Sequence, residues 1–246
     1  MHTDILDLMH FYNSPLGHIA RRAIRHHIRE IWPNLHGQRL VGLGYAAPFL
    51  KIFSDEAERM AAIMPATQGI TAWPEDGRNI AALSDETNLP FQDYSIDRIL
   101  MVHALEGCSD PNHLLQEAWR VLTGSGRLLL VVPNRLGLWA RFEHTPFGNG
   151  QPYSASQLTW ALRQELFTPT QVVRALYTPP TQSRFLLSSS RAFEKVGRAI
   201  FPQFSGLLLI EAKKEVYSAH PMRYRRVKST APIFPAPPAP VTPPPV

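Results

Sequence analysis

Two glycines, a histidine and a glutamate are the residues of this chain most able to do chemistry. Gly42 and Gly44 sit in GLGYAA directly after an apolar run, and a turn without side chains lets a ligand approach the backbone closely. The segment matches the G-x-G-x-x-G/A dinucleotide pattern, so an NAD site is one reading and a tight strand-to-helix turn is another. An NAD site also wants an acid about 20 residues further on, and Ala61-Ala62-Ile63-Met64 offers none there. His103 and Glu106, with His144, can accept a proton from a nucleophile. Their alternatives are packing at a strand end, a turn cap and a surface loop. Asn134, Arg135, Trp139 and Arg141 lie in one long connection and suit an acidic or planar substrate, or simply packing. The histidines show no ligand spacing with acids or Cys108, so no metal is expected. There is no P-loop and no G-x-S-x-G elbow.

The elements that must position these groups are best read between Leu89 and Asn134. Ile96–Val102 is a short apolar run suited to a buried strand. Asp110-Pro111 opens a helix, Leu114, Leu115, Ala118, Val121 and Leu122 recur at helical spacing, and Gly124 and Gly126 are expected to stop it. RLLLVV at 127–132 reads as a strand covered on both faces. Strand, crossover helix and strand make a βαβ unit and imply a parallel sheet. Further strands are expected at 39–43, 59–64, 80–83, 171–177 and 206–211. Helices are expected over 1–30 (two, broken at SPLGH), from a Ser154/Gln157 capping box to about Phe167, and over 183–200. The N-terminal pair could pad the sheet or cap a ligand site. This gives a helical lead-in at 1–34, an α/β domain at 35–217 and a basic, then proline-rich tail at 218–246 that suits docking to a protein partner.

The chain has 246 residues, 44% hydrophobic and 18% charged, as in a globular α/β domain. No apolar run reaches the length of a membrane span, and MHTDILDLMH lacks the features of a signal peptide. A single cysteine fits a reducing, cytoplasmic setting. The net charge of +5 gathers near Arg21–Arg29 and near Lys213–Lys228. Both clusters could attract anions, nucleic acid included, or could be a solvated helix face and a basic tail.

Leu89–Val132 resembles the methyltransferase type 11 group of class I S-adenosylmethionine-dependent methyltransferases. The resemblance is carried by Asp85, Leu89-Pro90-Phe91, Ser95-Ile96-Asp97, Leu105-Glu106, Asp110-Pro111, Glu117 and Arg120-Val121-Leu122, at the family's mutual spacing. It implies a Rossmann-like, doubly wound, seven-stranded, mostly parallel sheet with an antiparallel last strand, over roughly residues 35–215. It implies methyl transfer from S-adenosylmethionine to an acceptor it does not name. Gly42, Gly44, Tyr45, Met64, Asp85, Glu86 and His103 would then line the cofactor, with Asp85 accepting from the adenine amino group. His103 would lie close to the sulfonium, and His103 and Glu106 would serve the proton. This chain departs from the family at two positions. Gly42 stands where an acid holds the cofactor's amino group, and Met64 where an acid binds the ribose, with Gln68 as a neutral stand-in. Each lost charge-assisted hydrogen bond costs about 1.5–3 kcal/mol. A binding or regulatory protein of the same fold is therefore the second reading.

Overall fold

The computed structural model describes residues 3–216, apart from 75, 182 and 184–188. Its centre is a seven-stranded sheet in the order β3-β2-β1-β4-β5-β7-β6. The strands are β1 (Arg39–Gly44), β2 (Arg59–Pro65), β3 (Ala81–Ser84), β4 (Ile96–Val102), β5 (Leu122–Pro133), β6 (Phe167–Ala175) and β7 (Leu207–Lys214). β1 to β5 run parallel, and β7 inserts antiparallel between β5 and β6. The order reverses between β1 and β4, which sets the switch point where open α/β sheets bind ligands.

The helices are α1 (Ile5–Asn13), α2 (Pro15–Ile31), α3 (Ala47–Leu50), α4 (Pro111–Val121), α5 (Ala155–Gln164) and α6 (Ser190–Ile200). Each predicted start has a local cause. Asp110 accepts from the His113 amide and Pro111 occupies the first turn, while Ser154 and Gln157 close a reciprocal capping box. Two apolar cores result. One face of the sheet packs with α1, α2 and the 139–147 turns, the other with α4 and α5. Among the described residues no helix is long and apolar enough to cross a membrane.

Several boundaries differ from the sequence reading, each for a physical reason. Gly124 and Gly126 do not stop α4. The helix ends at Val121, and Leu122 is already extended and paired with Ile96, so both glycines lie in the irregular start of β5. α5 ends at Gln164 rather than Phe167, because Leu166 turns left-handed (φ 58°) and Phe167 pairs with Lys214. β6 begins four residues earlier than expected. Its Pro169 is tolerated because β6 is an edge strand, with a register shift between Pro169 and Gln171. The segment expected to be helical from 183 is so from 190, and 184–188 with the 218–246 tail lie outside the described residues.

The motif residues that carried the family resemblance are structural ties. Glu117 accepts from the Leu89 amide and from Arg120, and Arg120 donates to the Leu89 and Phe91 carbonyls and to Asp93. The Leu89-Pro90-Phe91 loop is thereby strapped to α4. Asp97 takes the Arg39 amide and guanidinium together, joining the starts of β1 and β4. Two of the α2 arginines are also structural ties. Arg25 donates to the Pro48 carbonyl and Arg29 to the Ile52 carbonyl and Glu56, at the end of α3 and the turn after it.

A capped switch point with a buried Tyr–His–Glu chain

α1 lies across the carboxyl ends of the strands. The Ile5 amide donates to the Gln68 carbonyl beyond β2, and Tyr12 stacks on Tyr45 beyond β1 at 5.3 Å. The Tyr12 hydroxyl meets His103 Nε2 beyond β4 at 2.8 Å. The two N-terminal helices divide their roles: α2 packs on the sheet face, and α1 covers the strand ends at the switch point.

His103 leaves β4 with a left-handed backbone (φ 51°), an uncommon conformation for a side-chain-bearing residue and one that clusters at functional sites. Its Nδ1 is 3.0 Å from Glu106 Oε1. With the ring proton on Nδ1, the imidazole donates to Glu106 and accepts from Tyr12, so the three groups form a single directed chain. All three are buried; Glu106 is 7% exposed. Tyr12 is held well above the usual phenol range, by burial first and then by Tyr45 and the Glu106 charge, so it stays a donor. Two acceptors at this centre have no partner among the described residues. Glu106 Oε2 is one, and Gln68 Oε1 is the other, although Gln68 Nε2 donates to the His103 carbonyl.

The structure brings His103 and Glu106 together, and adds Tyr12 and Gln68. Tyr12 is 91 residues from His103, and nothing in its helical spacing marks it as more than a core aromatic. Gly44 has φ +73°, and a Cβ there would lie 2.4 Å from the Val102 carbonyl. At Gly42 a Cβ would instead meet the Ala46 and Leu50 side chains, at 2.7 and 2.8 Å. Both glycines therefore serve close packing, and Met64 is fully buried in the core. On the far side, Pro65, Ser84, Glu86, Leu89 and Leu114 surround a slot with about 10 Å³ of open space. Asp85 is exposed, and its carboxyl accepts from the Thr87 amide and hydroxyl, which hold it below the usual range. Cys108 is pushed up to about 12, chiefly by burial and then by Glu86, so its thiol is no nucleophile at neutral pH.

The four loop residues do not converge. Asn134 is buried and donates to the Gln203 and Ser205 carbonyls, and Trp139 is buried and donates to the Thr178 carbonyl. Both side chains are spent on holding the loop to the region around β7. Arg135 and Arg141 are exposed. His144 instead lines a cleft against α1. His26, His27 and Glu30, which spacing alone did not link, bring their ligand atoms within 4.8 Å on α2. The Arg198 guanidinium stands 3.3 Å from His27 Nε2 there.

Residues 35–130 match the family described as methyltransferase domain, which supports a methyltransferase domain over that stretch. Among curated proteins it is similar to the uncharacterized protein YafS of Escherichia coli K12, 26% identical over 218 residues, covering 87% of this chain and 85% of that protein. Among solved structures it resembles the Haloferax volcanii complex of the Trm112 methyltransferase activator with a methyltransferase. That match has a TM-score of 0.60 and 20% identity, covering 83% of this chain and 95% of that one. An Archaeoglobus fulgidus S-adenosylmethionine-dependent methyltransferase matches with a TM-score of 0.58 and 18% identity, covering 83% and 96%. At these identities the structures speak to the fold.

Proposed function

We propose that this protein is an S-adenosylmethionine-dependent methyltransferase of the cytoplasm whose cofactor crevice is closed by α1. The observation that carries this is the methyltransferase domain together with the unpartnered Gln68 Oε1 at its switch point. A buried acceptor without a donor is costly, and a cationic, donor-rich cofactor would satisfy it. Gln68, expected from the sequence as a stand-in for the ribose-binding acid, would instead accept from the cofactor's ammonium here, and the Gly44 turn and Tyr45 would flank it. The slot of Pro65, Glu86, Leu89 and Leu114 would take the adenine, with Asp85 at its edge. The bound cofactor supplies an electrophilic methyl group. The chain's own part is to exclude water, through Tyr12 and Tyr45, and to receive the acceptor's proton at the His103–Glu106 pair. Entry requires the slot to widen, because it holds only about 10 Å³ of open space, and moving Tyr12 off Tyr45 and His103 is the step that would uncover the β1 and β4 ends.

The test is calorimetry of the full chain with S-adenosylmethionine, S-adenosylhomocysteine and NAD, repeated on Tyr12→Ala to open the cap. Micromolar binding of the first two, tighter in the variant, is expected; NAD should not bind. Binding of none by either protein would overturn the reading. It would favour a non-catalytic binding protein of this fold, which the missing acids and the narrow slot also support. Asp85→Ala should weaken cofactor binding, and unchanged affinity would remove Asp85 from the adenine site.

A further inference from the structure

A cleft of about 550 Å³ opens between α1 and the 143–149 turn, away from the cofactor slot. Its walls combine apolar Phe11, Leu16 and Pro146 with acidic Asp7 and Glu143, and His10 and His144 stand beside them. Among the described residues no lysine or arginine lines it, although the protein as a whole carries a net charge of +5. Beyond Thr3, Pro146 and Asn149 lies a second void of about 10 Å³, walled by His103, Glu106 and Gly150. That is room for about one water-sized group. The two spaces share those three residues as their common wall.

Two members of the Tyr12–His103–Glu106 chain, His103 and Glu106, line the inner void. Tyr12 donates to His103, His103 donates to Glu106 Oε1, and Glu106 Oε2 is left as a buried acceptor with no donor. No side chain among the described residues supplies that donor. A group entering from the cleft would. We propose that the cleft is a binding site for a small amine, whose ammonium seats against Glu106 Oε2 and whose apolar body lies along Phe11 and Pro146. A protonated amine brings both the donors and the charge that a buried carboxylate needs, and Asp7 and Glu143 draw the same charge to the mouth. A carboxylate ligand would meet three acids and no counter-ion. A hydroxyl would satisfy the hydrogen bond but leave the charge.

That the amine is also the methyl acceptor rests on the methyltransferase reading; its binding does not. The experiment therefore uses the full chain without cofactor. 2-Phenylethylamine, 2-phenylethanol and 3-phenylpropanoate share one apolar body and differ in head group. Each is titrated at neutral pH by saturation-transfer NMR and calorimetry. The amine should bind about tenfold or more tightly than the alcohol, and the acid should not saturate. In Glu106→Gln, shown to be folded by circular dichroism, that preference should fall to about unity. Should that variant not fold, Asp7→Asn/Glu143→Gln, both exposed, should weaken the amine about threefold or more and flatten its salt dependence. Equal binding of amine and alcohol, preference for the acid, no amine binding up to about 10 mM, or an undiminished preference in the folded variants would each overturn the proposal. Failure of cofactor binding with amine binding intact would remove the methyltransferase reading and leave this site standing.

Discussion

Lys214 is the residue whose burial is hardest to reconcile with its chemistry. It is 1% exposed, donates to the Leu122 carbonyl, and sits over the Tyr94 and Trp119 rings at 3.8 and 3.9 Å. Burial pulls its ammonium down to about 8, against an upward pull from Asp93. The two ring faces also favour the cation. Since the folded value lies below the ordinary 10.5, the unfolded chain binds more protons between these limits. Stability should rise as pH goes from about 8 towards 10, and thermal melts of Lys214→Met should lose that slope. Arg120 gives a second residue-scale expectation. It holds the Leu89-Pro90-Phe91 loop through two carbonyls and Glu117, so Arg120→Ala should cost about 2–3 kcal/mol in urea unfolding. Lys at that position keeps the charge but not the planar fork, and should recover less than half of the loss.

Among the elements, the β1 exit and α1 set access to the centre. A methyl at Gly44 would meet the Val102 carbonyl at 2.4 Å from a left-handed backbone, so Gly44→Ala should destabilise by about 3 kcal/mol. Gly37→Ala has the same sign of φ and open space around it, and should cost only about 1 kcal/mol in the same denaturation assay. The element scale is also where the sequence was most and least readable. β4, α4 and the apolar part of β5 were legible because an apolar run, a Pro-preceding cap and helical spacing all agreed. β6 was obscured at its start by Pro169, a residue that argues against a strand unless the strand is known to be an edge. The site was legible only where its members are close in sequence. His103 and Glu106 are three apart, whereas Tyr12 reaches them through the packing of α1, which leaves no local signature.

Over the whole molecule, the motif set that points to a methyltransferase domain proves to be largely scaffold. Asp97, Glu117 and Arg120 tie strand starts and loops, while the positions that grip a cofactor elsewhere in the family hold Gly42 and buried Met64. That explains why the fold could be read more securely than the activity. Among the described residues β6 pairs only with β7, and β7 follows it by more than thirty residues while pairing with β5 on its other side. During synthesis β6 must therefore wait, with an unpaired edge on each side, until β7 has left the ribosome exit tunnel. The β5–β7–β6 half would then close in one late step, and nascent chains ending before residue 207 should be far more susceptible to protease within 167–175 than chains that include β7.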